Sequence, residues 1–261
     1  MRFQGWDLSP AHGAAVEIED GRLSWWAYYT PRAGVAARSK NGTRSPDPKK
    51  NDERQAFHAM RLVWIRDWIA NVALARSPDF VGLEDYALHA AYRAHQIGEI
   101  GGAAKTLLWD RGVPYRLHDP TSVKMFATHN GNATKDVVED HVKSRWGVDF
   151  SEVNALPART GAKQLRESSE DLADAFAIAK LVEVEQAIRT GKLRLDQLEH
   201  DKERQVFNRT TSVYPVSLLG REWIQNPRPV PDARALLRLQ MAFDRAKGAA
   251  SRAFLAKILK G

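Results

Sequence analysis

Three short stretches rich in apolar and aromatic side chains open the chain, residues 2–8, 12–19 and 22–29. They read as strands, and Ser9-Pro10 and Asp20-Gly21 between them predict turns, so the domain opens as a meander. The pattern then breaks over 31–54, where Pro31, Pro46 and Pro48 mix with many basic residues and little is available to bury. That composition predicts a flexible surface loop. From about Glu53 to Arg76 the spacing of Phe57, Met60, Ile65, Trp68, Ile69 and Val72 becomes helical. Asp79 to Glu84 reads as a short strand, 88–111 as a helix, Val113 to Leu117 as a strand, 134–146 as a helix and Glu167 to Arg189 as a long helix. Strands first paired in a meander and later joined through helices predict an α/β fold, a mixed sheet flanked by helices.

Two stretches qualify this picture. Helix 88–111 carries Gly98, Gly101 and Gly102 midway. Glycine costs about 1 kcal/mol in a helix interior and is tolerable where two backbones approach closely. Beyond residue 190 the pattern changes, and Asn226 to Pro231 reads as a stiff linker into a helix at 232–260 rich in Arg and Lys. The expected organisation is a domain over 1–190 containing the basic loop 31–54, and a C-terminal extension over 191–261 ending in the basic helix 232–260.

Composition narrows the function. The chain has 261 residues, 43% of them hydrophobic, and a net charge of +7. Such a chain can bury a core, and its charge suits nucleic acid or another anionic partner. The absence of cysteine excludes disulfides, thiolate nucleophiles and Cys-zinc sites. The first residues read as a strand rather than a leader, and no apolar run approaches the roughly 20 residues of a membrane helix. The expectation is a soluble cytoplasmic protein with no membrane partner.

The candidate chemistry lies in acids flanked by apolar residues. Asp7 closes the first strand, Glu84 closes a later one, and Asp171 and Asp174 lie three apart on one helical face. Alanines at 173, 175, 177 and 179 let that helix approach a sheet closely. Buried carboxylates need compensation, and a cluster of them resists full ionisation without cations. Magnesium, a hard ion that prefers oxygen, is the usual partner. Two such ions can activate a water and stabilise charge on a phosphodiester. His89, His95, His118, His129 and His141 show no zinc spacing and read as structural.

These residues fall in an order that resembles the RuvC-type Holliday-junction resolvases, which have the RNase H-like, retroviral-integrase-like fold. Gly5-Trp6-Asp7-Leu8-Ser9 is similar to the family's opening strand, and Leu83-Glu84-Asp85-Tyr86 to its Ile-Glu element. Asp119-Pro120-Thr121-Ser122-Val123-Lys124, followed by Thr134-Lys135, resembles its two lysine elements. Asp171-Leu172-Ala173-Asp174-Ala175-Phe176-Ala177-Ile178-Ala179 resembles its acidic helix and is the most specific match. The resemblance covers roughly residues 2–190 and implies a mixed five-stranded sheet flanked by helices. It also implies Asp7, Glu84, Asp171 and Asp174 as ligands of two Mg²⁺, with Mn²⁺ a possible substitute. Lys124 and Lys135 would face the scissile strand, helix 88–111 would form a homodimer, and branched DNA such as four-way junctions would be the substrate.

There are departures. The family's aromatic wedge falls on Ala87, and Tyr86 or Tyr92 could substitute by stacking on a base. Loop 31–54, with Arg38, Lys40, Arg44, Lys49 and Lys50 as candidate phosphate contacts, and the region after 190 exceed the compact bacterial enzymes, which suits a divergent, phage-encoded member. The alternatives are a nuclease preferring flaps or replication forks, and a branched-DNA-binding accessory protein that no longer cuts. The basic helix 232–260 carries enough interleaved apolar residues to serve in packing as well as in phosphate binding.

Overall fold

In the computed structural model, residues 1–29, 51–85, 94–151 and 162–227 are described. Five strands form one sheet: β1 (Arg2–Leu8), β2 (Gly13–Glu19), β3 (Arg22–Tyr29), β4 (Phe80–Glu84) and β5 (Tyr115–His118), in the order β3-β2-β1-β4-β5. The first three strands run antiparallel as a meander, while β4 and β5 join β1 in parallel. This is the mixed five-stranded sheet, flanked by helices, of the RNase H-like fold. The expected elements Val113–Leu117 and 79–84 match β5 and β4 to within two residues. The expected helix to Arg76 ends earlier: α1 (Asn51–Trp68) loosens into a π turn, Ile69–Ala73, and a 3₁₀ turn, Leu74–Arg76. Of helix 88–111, the described part is α2 (Ala94–Arg111).

Two apolar layers cover the sheet. On one face, Trp6, Ala15, Val81 and Leu83 pack with Ile65 and Ile69 and with Ile100, Ala104 and Leu108 of α2. On the other, Ala14, Val16 and Ile18 pack under α5 (Ala162–Arg189), with Val123 and Phe126 of α3 (Pro120–Thr128) and Val138 and Val142 of α4 (Lys135–Trp146). Helix α3 falls in a stretch with no predicted element. Its start is nonetheless built from standard signals: Asp119 caps it, accepting the Ser122 N–H at 3.2 Å, and Pro120 takes the first turn.

The close seating of α5 has a specific cause. Gly5 of β1 lies opposite Gly82 of β4. A methyl group on Gly5 would fall 2.0 Å from the Ala175 carbonyl oxygen and 2.4 Å from the Ala179 nitrogen. One on Gly82 would fall 2.6 Å from both Ile178 Cγ2 and Val182 Cγ2. The paired glycines therefore let the helix backbone rest directly on the sheet, as the alanine run implies. Each glycine stands two residues before an acid, Asp7 or Glu84, so glycine and acid share one face of their strand. The same packing that draws α5 down brings its aspartates to the ends of β1 and β4.

Residues after α5 return to this core. Leu198, Val206, Phe207 and Leu218 join the α5 layer, and α6 (Asp201–Asn208) packs on α3. The buried Glu203 of α6 accepts Arg145 Nη2 and His129 Nε2, each at 2.8 Å. Ile224 makes an antiparallel bridge to Tyr115 on the free edge of β5. Of the expected loop 31–54, residues 51–54 belong to α1, and the rest lies outside the described residues, as do helix 232–260, Tyr86 and Tyr92. Among the described residues no helix is long and apolar enough to cross a membrane.

A candidate active site of clustered carboxylates

Asp7 and Glu84 end neighbouring parallel strands, and Asp171 and Asp174 face them from α5. Asp7, Asp171 and Asp174 are buried at 8%, 1% and 6% exposure. Between these three lies the Lys135 ammonium, 3.1 Å from Asp7 Oδ2, 2.8 Å from Asp171 Oδ1 and 3.0 Å from Asp174 Oδ2. Lys135 is the first residue of α4, where the helix dipole disfavours a cation. The three carboxylates outweigh that penalty and raise the lysine pKa against the burial that would lower it.

Lys135 does not balance the site. Burial, together with Asp171, raises Asp7 in spite of the lysine. Burial raises Asp174 to about 7, with Asp7 adding to it. Burial, then Asp7 and Asp174, push Glu84 well above the usual carboxylate range, while Lys135 and Lys124 pull it down. Asp171 alone moves down: burial opposes, but His12 and Lys135 prevail. All six residues proposed from sequence for the chemistry thus belong to one electrostatic neighbourhood. Lys124, on α3, acts on it through its charge near Glu84. Tyr86, Tyr92, Arg38, Lys40, Arg44, Lys49 and Lys50 lie outside the described residues.

One member escaped the sequence reading. His12, in the β1–β2 turn, bonds through Nδ1 to Asp171 Oδ2, and that hydrogen bond raises its pKa. Ser9 shapes the turn: its hydroxyl donates to His12 O at 2.5 Å, and its Oγ accepts the His12 N–H at 3.2 Å. Tyr29 then donates its hydroxyl to Ser9 O at 2.7 Å. The contact between His12 and Asp171 spans 159 positions, and no local pattern announces it. The Ser9 turn immediately after Asp7 was the only available signal.

The donor set suits a hard divalent cation. It is made of the carboxylate oxygens of four acids near two lysines, and three of those acids are raised in pKa by burial first and by neighbouring carboxylates second. As arranged, no three His, Asp or Glu side chains among the described residues are close enough together to hold an ion. The Lys135 ammonium takes the place between the aspartates.

Fold and site together define a mixed five-stranded sheet flanked by helices, with an acidic cluster at the ends of its central strands. No family model and no curated protein matches the chain. Among solved structures it is similar to RuvC of Thermus thermophilus, with 21% identity and a TM-score of 0.46 over 73% of this chain and 97% of that one. It is also similar to T. thermophilus RuvC in complex with a Holliday junction substrate, with 20% identity and a TM-score of 0.44 over 69% of this chain and 90% of that one. At such identities no residue role transfers, and the roles below rest on this chain's own geometry.

Proposed function

We propose that the protein is a divalent-metal-dependent endodeoxyribonuclease that cuts branched DNA, four-way junctions first among them, as a homodimer. The observation that carries the reading is the surplus of buried carboxylates brought together from β1, β4 and α5 in a chain of net charge +7. In this reading Asp7, Glu84, Asp171 and Asp174 hold two Mg²⁺ or Mn²⁺ ions. When bound, such ions supply an activated water and stabilise charge on the phosphodiester. His12 orients Asp171. Lys135 keeps the acids together and, with Lys124, offers positive charge to the reacting phosphate. Branched DNA is favoured by the ordered motifs that resemble the junction resolvases.

A second copy would dock on α2, where methyl groups built on Gly98 and Gly102 meet nothing within 4 Å. The bare strip can accept a neighbouring backbone, and a two-fold dimer presents two active sites to a two-fold junction. The cytoplasm of a bacterium, or of a phage-infected host, is the proposed location.

The test is Mg²⁺-dependent nicking of a panel of synthetic four-way junctions, flaps and forks by the wild-type protein and Asp7→Asn. Cleavage by the wild type, with retained binding but no cleavage by Asp7→Asn, supports the reading. Full cleavage by Asp7→Asn refutes the site, and binding without cleavage by the wild type points to the accessory protein.

A further inference from the structure

The segment after α6 reaches the acidic end of the sheet. Asp85, next to Glu84, extends the β4–β5 ladder by donating its N–H to His118 O at 2.8 Å. Its carboxylate accepts the hydroxyl of Tyr214. Tyr214 is fixed in a tight turn: the Thr211 N–H donates to Tyr214 O at 2.8 Å, and the Tyr214 N–H donates to Thr211 Oγ1 at 2.9 Å. The Arg221 guanidinium covers the Tyr214 ring, 4.3 Å from its centroid.

Arg221 is tied down in turn. Its carbonyl accepts Arg116 Nη2 at 2.7 Å and also Arg189 Nη2, which donates to Leu218 O at 2.9 Å. Arg116 and Arg189 share Glu185 Oε1 at 3.1 and 2.7 Å. Glu185 stands on α5, the helix that carries Asp171 and Asp174. A continuous set of contacts thus runs from α5 through 214–221 to the residue beside Glu84.

We infer that Tyr214 and Asp85 are positioning residues for Glu84, and that segment 211–221 sets the spacing between Glu84 and the aspartates of α5. Glu84 is the last residue of β4, beside β1 and its Asp7. The hydrogen bonds of Asp85 to His118 O and to the Tyr214 hydroxyl hold the chain just beyond it. A hydroxyl suits the task because it restrains Asp85 without adding a charge that would compete for the acids. Burial, with Asp85 beside it, keeps that hydroxyl protonated and donating. The inference rests on the nuclease reading only for what the spacing serves, namely a cation site.

The experiment is Mn²⁺ titration of the full chain by calorimetry, alongside junction nicking, for the wild type, Tyr214→Phe, Asp85→Asn and Asp85→Ala. Tyr214→Phe loses only the hydroxyl and is expected to weaken Mn²⁺ binding about tenfold or more, as loss of a group that orients a ligand does. Its thermal midpoint should stay within about 4 °C of wild type, the scale of one hydrogen bond. Asp85→Asn keeps an acceptor for Tyr214 and should bind Mn²⁺ like the wild type, whereas Asp85→Ala should match Tyr214→Phe. Wild-type Mn²⁺ affinity in Tyr214→Phe overturns the inference, as does a wild-type protein that binds no Mn²⁺. A wild type that binds Mn²⁺ but cuts no branched DNA defeats the nuclease reading alone, and the titration still decides the positioning role.

Discussion

Helix α5 carries two buried charge clusters, and they differ in balance. Toward its C-terminal end, one acid, Glu185, meets two guanidiniums, Arg116 and Arg189. Both guanidiniums also donate to the carbonyls of Leu218 and Arg221, which fastens a chain segment. Toward its N-terminal half, Asp171 and Asp174 join Asp7 and Glu84 around one ammonium, and Asp7, Glu84 and Asp174 are pushed up in pKa. Burial of charge is common to both. What separates them is the sign of the excess: the first sets two guanidiniums against one carboxylate, and the second gathers four carboxylates near Lys135, Lys124 and His12, which marks the second as a site for an external cation.

Breaking the Glu185 cluster should cost the most stability. Glu185→Gln leaves Arg116 and Arg189 buried without their anion and should destabilise folding by roughly 3–5 kcal/mol, measured by urea denaturation. A loss below about 1 kcal/mol would mean that the guanidiniums are satisfied by the carbonyls alone.

The Glu185 end also predicts a pH effect. His118, buried beside Arg116 and Arg221, is pushed down to about 3 by burial first and by those cations second. The unfolded chain takes up this proton near pH 6.5 and the folded one does not. Stability is therefore complete above pH 6.5 and falls below it, by about 1.4 kcal/mol per pH unit, as pH moves toward 3. Comparing His118→Gln with the wild type between pH 7 and 5 isolates the effect, because the variant lacks that slope. A smaller change is expected at Lys135, whose side chain is 41% exposed. Lys135→Met should destabilise the metal-free protein by roughly 1 kcal/mol, an effect reduced by solvent, and added Mg²⁺ should reverse it. No recovery with Mg²⁺ would show that the lysine is a structural counter-ion like Arg116.

The sequence pattern made the three-strand meander, β4, β5 and the long acidic helix legible, because apolar runs bounded by turn residues and helical spacings are local. The glycine and alanine positions also carried information: Gly5, Gly82, Ala175 and Ala179 are small where backbone meets backbone. Helix α3 was missed although Asp119 and Pro120 spell a helix start, because the stretch was read only for its lysine. His12 and the Tyr214–Asp85 contact were not legible at all. They join residues 159 and 129 positions apart, and such pairings exist only once the sheet and α5 are assembled. The return of residues 191–227 to the core was hidden for the same reason. Arg116 and Arg189 look like surface bases until Glu185 and two carbonyls enclose them.

Cation binding by the acidic cluster can be read from the thermal midpoint of the wild type and of Asp174→Asn as Mg²⁺ is raised from zero. A saturable rise is expected for the wild type, by mass action on the folded state. Asp174→Asn should have a midpoint no lower than wild type without metal, since one repelling charge is gone, and should respond little to Mg²⁺. A wild-type midpoint indifferent to Mg²⁺, or an equal rise in both proteins, would contradict cation binding by this cluster.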